Sequence, residues 1–258
     1  MKTRIILSFI AALFMQFTTV SADNYTDGMM KLINNEAVAI VNTQMVEQAS
    51  KSPNANLDYL QNQFKTDVVE WMADHYRKNM SEKDFNDMIS FFMQPEVLSV
   101  QKKVIAAAAS SKAEDLLAPQ MQTLVMGGTP EDLKEPDCDP QLKKELLRWM
   151  EINGTREGMK ATFDAIKGLI PDMAPSGMPE EQKAMVTKMM DGVFSFMEKN
   201  FDTIMLTAMV EKVDMNDMQV LNAVESKPFF ASYKKANLSA VGDLATFMTK
   251  FLAGIKKN

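Results

Sequence analysis

Apolar residues recur along this chain at intervals of three and four, the spacing of helix faces packed against a core. Tyr25 to Gln48 carries Met29, Ile33, Ala37, Ile40, Val41 and Met45 on one face. Pro53 and its neighbouring Asn residues break that pattern, and Leu57 to Asn79 resumes it with Leu57, Leu60, Phe64, Val68, Trp71 and Met72. From Ser81 to Lys103 a stripe of Phe85, Met88, Ile89 and Phe92 is followed by Pro95 and then by Val97, Val100, Val104 and Ile105. Ser81 stands where a helix cap belongs, with Asp84 three residues on to reach back as in a capping box. Pro95 cannot continue the first helix but can open the next at its first position. This second arm is expected to end near Ala118-Pro119.

A second hairpin follows 133 positions later. Asp214 to Ala236 places Asp214 at the cap, Met218, Leu221 and Val224 in the stripe, and Pro228 where Pro95 stood. Asp84/Asp217, Pro95/Pro228, Ser99/Ser232 and Lys102/Lys235 are identical between the copies. Between the hairpins, Gly127, Gly128, Pro130, Pro136 and Pro140 punctuate an acidic stretch that reads as a linker. Asp139-Pro140 then starts a helix to Asn153 with Leu142, Leu146, Trp149 and Met150 inward. Gly154 ends it, and Thr155 caps the next, which carries Met159, Phe163, Ile166 and Ile170. Pro179 opens a helix with Met185, Met189, Val193, Phe196 and Met197, and Asp202 to Val213 forms another. The chain closes on Val241, Leu244, Phe247, Met248, Phe251, Leu252 and Ile255. Strand-like alternation is scarce. The expectation is an all-α protein of two tandem helical-bundle repeats, each with a helix-Pro-helix hairpin. The divisions fall at 1–22, 23–126, 127–138 (linker) and 139–258.

Residues 1–22 change the picture from a fold to a compartment. Lys2 and Arg4 precede the apolar run Ile5 to Phe14, and Val20-Ser21-Ala22 supplies small residues for cleavage. This is the pattern of a secretory signal peptide, too short to span a bilayer. The reading places the mature chain in the periplasm or outside the cell, soluble and not membrane-spanning. No Cys follows the cleavage point, which argues against a lipoprotein anchor. Cleavage removes two cations and no anions, so the formal charge moves from −6 to −8. That balance speaks against nucleic acid as a partner, since a nucleic-acid binder presents a basic stripe.

The hinge pattern resembles that of an exported bacterial family, the domain of unknown function 2059. It is carried by an acidic-capped helix, aromatic residues and then a helix-opening Pro. The family's Phe-Tyr-x-Ser-Pro-x-Gly is similar to Phe91-Phe92-Met93-Gln94-Pro95-Glu96-Val97 and, later, to Val224-Glu225-Ser226-Lys227-Pro228-Phe229-Phe230. The Tyr and Gly of that pattern are absent from both copies. Leu142 to Phe163 is similar to the family's opening helix pair. The resemblance implies two tandem copies of an exported helical domain and brings no activity with it.

The catalytic inventory is thin. His75 is the only histidine, one turn after Trp71 at the edge of an apolar face. No Glu-x-x-His pair and no zinc set accompany it. A Ser-His-Asp triad is not excluded by the sequence, but the Gly-x-Ser-x-Gly elbow is missing. His75 is therefore expected to be a partly buried structural residue. Asp67, Glu70 and Asp74 share a helix face and read as solvated charge. Asp214-x-Asn216 with Glu225 mimics a calcium loop, but Met218 and Gln219 stand where a ligand oxygen and Gly are needed. Gly127-Gly128 lacks the Gly-Lys-Ser/Thr of a phosphate loop. Cys138, the one cysteine, lies between Asp137 and Asp139. Activated thiols want cationic surroundings, so an unremarkable or occasionally dimerising thiol is expected rather than a catalytic one.

Methionine is the compositional oddity, with Met173, Met178, Met185, Met189, Met190 and Met197 inside 25 residues. Thioethers fill irregular cores, make adaptable binding surfaces, and can ligate Cu(I). Helical spacing on inward faces favours the core. Asn24, Asn79, Asn153 and Asn237 each begin an Asn-x-Ser/Thr sequon. The functional expectation is an exported, non-catalytic protein that binds proteins or peptides and needs no cofactor. The alternative is a carrier or sensor of an apolar small molecule in a groove lined by Met185, Met189, Phe196, Trp71 and Phe92.

Overall fold

The computed structural model describes residues 24–33, 56, 58–59, 63–108, 111–173 and 179–255. Every regular element among them is helical: α1 (Asn24–Ile33), α2 (Phe64–Asn79), α3 (Glu82–Phe92), α4 (Pro95–Ala108), α5 (Ser111–Val125), α6 (Pro140–Ile152), α7 (Thr155–Met173), α8 (Glu180–Lys199), α9 (Phe201–Met209), α10 (Met215–Asn222), a 3-10 turn (Ala223–Ser226) and α11 (Phe230–Ile255). The all-α expectation holds. The proposed leader, Asn34 to Gln48 of the first helix, and residues 174–178 lie outside the described residues.

The hairpin after Ser81 forms as its stripe requires. Phe85, Met88, Ile89 and Phe92 are all buried, and Pro95 is the first residue of α4. The Ser81 hydroxyl accepts from the Asp84 amide at 3.1 Å. The return arm of the capping box does not form there. The Asp84 carboxylate instead accepts from the Ser232 hydroxyl at 3.2 Å, on a helix 148 positions away. The full box forms in the second hairpin, where Asp214 accepts from the Asp217 amide at 2.9 Å and Asp217 accepts from the Asp214 amide at 3.0 Å. Asp214→Ala is expected to lower stability by about 1 kcal/mol, the usual cost of losing a cap. A urea midpoint reads it. Pro228 does not open its helix. The 3-10 turn ends before the proline, Phe230 donates back to the Lys227 carbonyl across it, and α11 starts two residues after the proline.

Two further expectations shift. Pro119 does not stop a helix but sits inside α5. A mid-helix proline costs about 3 kcal/mol. Burial offsets it here, because Leu117 closes into a cluster with Phe196, Ile204 and Ala208, flanked by Met121, Leu124 and Leu133. Thr155 begins α7 rather than capping it, and its buried hydroxyl has no protein partner among the described residues. Gly154, by contrast, ends α6 as expected, with a φ of +63° that only glycine adopts without strain. At Gly28 the reason is space. A Cβ there would lie 2.6 Å from Phe85 Cε1 and 2.9 Å from Ile89 Cγ1, so glycine lets α1 settle on α3.

The helices from either side of residues 126–139 interlock. α11 packs against α2 and α3 from the first part of the chain, while α4 and α5 pack against α9, and α4 also against α10. The exchange is reciprocal, and so are its polar links: Asp84 receives Ser232, while Asp217 receives the Lys103 ammonium at 2.7 and 2.8 Å. One buried apolar cluster runs from Met29 to Phe247 through both parts. At its centre lie Tyr76, Phe85, Phe92 and Tyr233, with Phe92 and Tyr233 ring centroids 5.4 Å apart. Both phenols find acceptors: Tyr76 donates to Asn237 Oδ1, and Tyr233 to Asn153 Oδ1 at 2.9 Å. Burial raises the pKa of each and keeps it protonated. No helix among the described residues is long and apolar enough to cross a membrane.

Candidate functional site

Two places gather polar side chains from distant parts of the chain. The first is a seam between α2 and α11. His75 Nδ1 lies 2.9 Å from Ser239 Oγ, and Nε2 lies 3.4 Å from Asp243 Oδ2. Trp71 Nε1–H donates to the same carboxylate oxygen at 3.1 Å and stacks its ring on Phe247 at 4.5 Å. With Nε2–H turned to Asp243, Nδ1 accepts from the Ser239 hydroxyl. Burial holds the imidazole below its ordinary pKa of 6.5, outweighing Asp243, which pulls it upward; Lys78 and Asp74 act weakly in opposite directions.

A serine, a histidine and an aspartate thus meet, but the setting is poor for acyl transfer. Ser239 and Asp243 are four residues apart on a 26-residue helix. The backbone N–H groups around Ser239 are committed to the helix ladder, so they offer no oxyanion hole. The group reads instead as a polar clamp between two helices. Its pH response has a defined sign. The folded protein resists protonating His75 and the unfolded chain does not. The stability contributed by the neutral ring is complete above pH 6.5 and is lost as pH falls from 6.5 through the lower folded value. Urea midpoints measured from pH 7.5 to 5.5 should fall less in His75→Gln than in the wild type.

The second place is an open groove of about 660 Å³ walled by α6, the 3-10 turn and α11. Pro140, Leu147 and Ile152 supply its apolar part. Lys143, Lys144, Arg148 and Lys234 bring four cations, against Glu151 and Glu225. The local sequence sets this up. Asp139 caps α6 by accepting from the Gln141 and Leu142 amides, with Pro140 at the first turn. The inward set Leu142, Leu146, Trp149 and Met150 is buried, which turns Lys144 and Arg148 outward one helical turn apart. Glu225 reaches Arg148 from the 3-10 turn and raises its pKa further. Lys143 pairs with Glu135 of the acidic linker, which raises its pKa as well. Lys144 and Lys234 have no carboxylate within ion-pair distance among the described residues.

None of the five residues expected to line a ligand groove lines this one. Phe92 is closed into the main cluster against Tyr233, and Phe196 into the smaller cluster with Leu117. Trp71 belongs to the His75 seam. Met185 is 72% exposed and Met189 half-buried on α8. The groove residues were missed because net charge hides them: a local surplus of cations sits in a chain of formal charge −6. The run Leu-Lys-Lys-Glu-Leu-Leu-Arg was the available signal for α6, whereas Glu225 and Lys234 arrive only through the fold. Among the described residues no cluster of His, Cys, Asp and Glu could hold a metal ion. Compared with protein families, curated proteins and solved structures, the chain has no match.

Proposed function

We propose that this chain is an exported, non-catalytic helical protein that binds a peptide or protein segment in the groove between α6, the 3-10 turn and α11. The observation that carries this reading is the groove's composition: an open lining that combines Pro140, Leu147 and Ile152 with six charged side chains. Such a surface suits a chain that offers both a side chain to bury and polar groups to pair. It suits an apolar small molecule less well, because enclosed walls retain such cargo and this groove is open. Export rests on residues 1–22, with their basic start, apolar run and small residues before the cleavage point. The two hairpins, with Asp84 and Asp217 at matching positions, support a tandem repeat as the scaffold, in keeping with the resemblance to the domain of unknown function 2059.

A displayed library of random twelve-residue peptides tests the reading. Peptides enriched on the wild type should lose at least about tenfold in affinity for Leu147→Asp, with helical circular dichroism unchanged, since a buried unpaired carboxylate removes the apolar contact. Failure to enrich any peptide, or enrichment indifferent to Leu147, contradicts it. So does hydrolysis of an activated ester that vanishes in Ser239→Ala.

A further inference from the structure

We infer that the groove's partner is an acidic peptide segment, with Lys144 and Lys234 as the cations that receive its carboxylates. This rests on the groove being a docking site and names the class of partner it selects. Four cations face two carboxylates along its walls. Glu225 is committed to Arg148, and Glu135 from the linker to Lys143. Glu151, exposed on α6, has no ion-pair partner among the described residues and leaves a smaller surplus of positive charge. Lys144 is exposed on α6 and Lys234 half-buried on α11, and neither has an ion-pair partner among the described residues. The groove therefore presents two ammonium groups without an ion-pair partner among the described residues, one from α6 and one from α11, in a lining that also holds Leu147 and Ile152.

The chain already demonstrates the complementarity. Residues 131–139, Glu-Asp-Leu-Lys-Glu-Pro-Asp-Cys-Asp, form an acidic stretch with no helix, and it approaches the groove where Glu135 pairs with Lys143 and Asp139 caps α6. An acidic segment outside the helices is thus accommodated at the rim of this wall. A second one, with an apolar residue flanked by carboxylates, would place its side chain against Leu147 and its charges on Lys144 and Lys234. The net negative charge of the chain disfavours unspecific attraction of an acidic partner, so its docking depends on local cations such as these.

Fluorescence anisotropy with three labelled peptides of equal length, alternating Leu with Glu, Ser or Lys, tests this on the intact protein. The Glu peptide should bind tightest and weaken several-fold between about 50 and 300 mM salt, as exposed charge pairs are screened. The double reversal Lys144→Glu/Lys234→Glu should weaken it at least about tenfold and strengthen the Lys peptide. Lys188→Glu, an exposed lysine on α8, should leave both unchanged. Equal binding of the Glu and Ser peptides, or indifference to the double reversal, overturns the acidic selection while the docking site stands. Binding of no peptide overturns both. Sedimentation with phosphatidylglycerol vesicles without affinity for the Glu peptide assigns the lysines to a lipid surface and overturns the inference as well.

Discussion

Tyr233→Ala should destabilise this protein by at least about 4 kcal/mol, enough to unfold it at moderate urea. The side chain is 1% exposed and lies where the two parts of the chain meet, packed on Phe92 and near Tyr76. Truncating a large aromatic in a core costs about 3–5 kcal/mol, because transfer energy is lost and a cavity remains. Here the buried Asn153 Oδ1 also loses its donor, a further cost of about 1–3 kcal/mol. Tyr233→Phe separates the two terms: it keeps the ring and should cost only the second. The two tryptophans report the loss independently, Trp71 on α2 and Trp149 on α6. Because one buried cluster runs through both helices, single-tryptophan versions of the Tyr233→Ala protein should show coincident urea midpoints at both probes. Separate midpoints would mean that the interlock between α11 and α2 does not couple the parts.

Phe163→Ala should be nearly as costly, about 3–5 kcal/mol. Phe163 on α7 and Phe194 on α8 are each 1% exposed and stack with centroids 4.7 Å apart. Lys167 lies over the Phe194 ring at 5.8 Å and covers its outer face. The pair holds α8 to α7 at the level where α8 begins to bury residues. Residues 180–193 contain none that is fully buried, whereas Phe194, Phe196 and Met197 are. Removing the Phe163 ring leaves α8 attached through Met197 in the main cluster, Val186, Met190 and Val193 packed against it, and Phe196 in the smaller cluster. At about 2–4 °C per kcal/mol for a chain of this size, a thermal midpoint lower by roughly 10 °C is expected. A change of only a degree or two would show that α8 is held by other contacts.

What the sequence made legible is local. The stripe Phe85, Met88, Ile89 and Phe92 is buried as its spacing requires, Pro95 and Asp139-Pro140 start helices, and Gly154 ends one. Each follows from chemistry within one or two turns. What escaped depends on partners far along the chain. Asp84 abandons its capping role for Ser232, a choice no spacing rule encodes. Pro119 is tolerated because Leu117 has Phe196, Ile204 and Ala208 to pack against. Met185 shares the helical spacing of its neighbours, yet it stays exposed while Val186 and Met190 of the same helix pack against the main cluster. The placement of His75 at the edge of an apolar face agrees with its 7% exposure, while Ser239 and Asp243 come from more than 160 positions away. The groove follows the same rule. Lys144 and Arg148 were readable as the outer face of α6, but Lys234 and Glu225 join them only when α11 folds back.

The most direct measurement of the central claim is hydrogen exchange on the full chain with and without the alternating Leu-Glu peptide. Added protection confined to residues 140–152 and 223–234, the walls of the groove, is the predicted result. Unchanged exchange there, or protection concentrated instead around Val125, Met126 and Met185, would contradict it and move the docking site to the exposed apolar residues of α5 and α8.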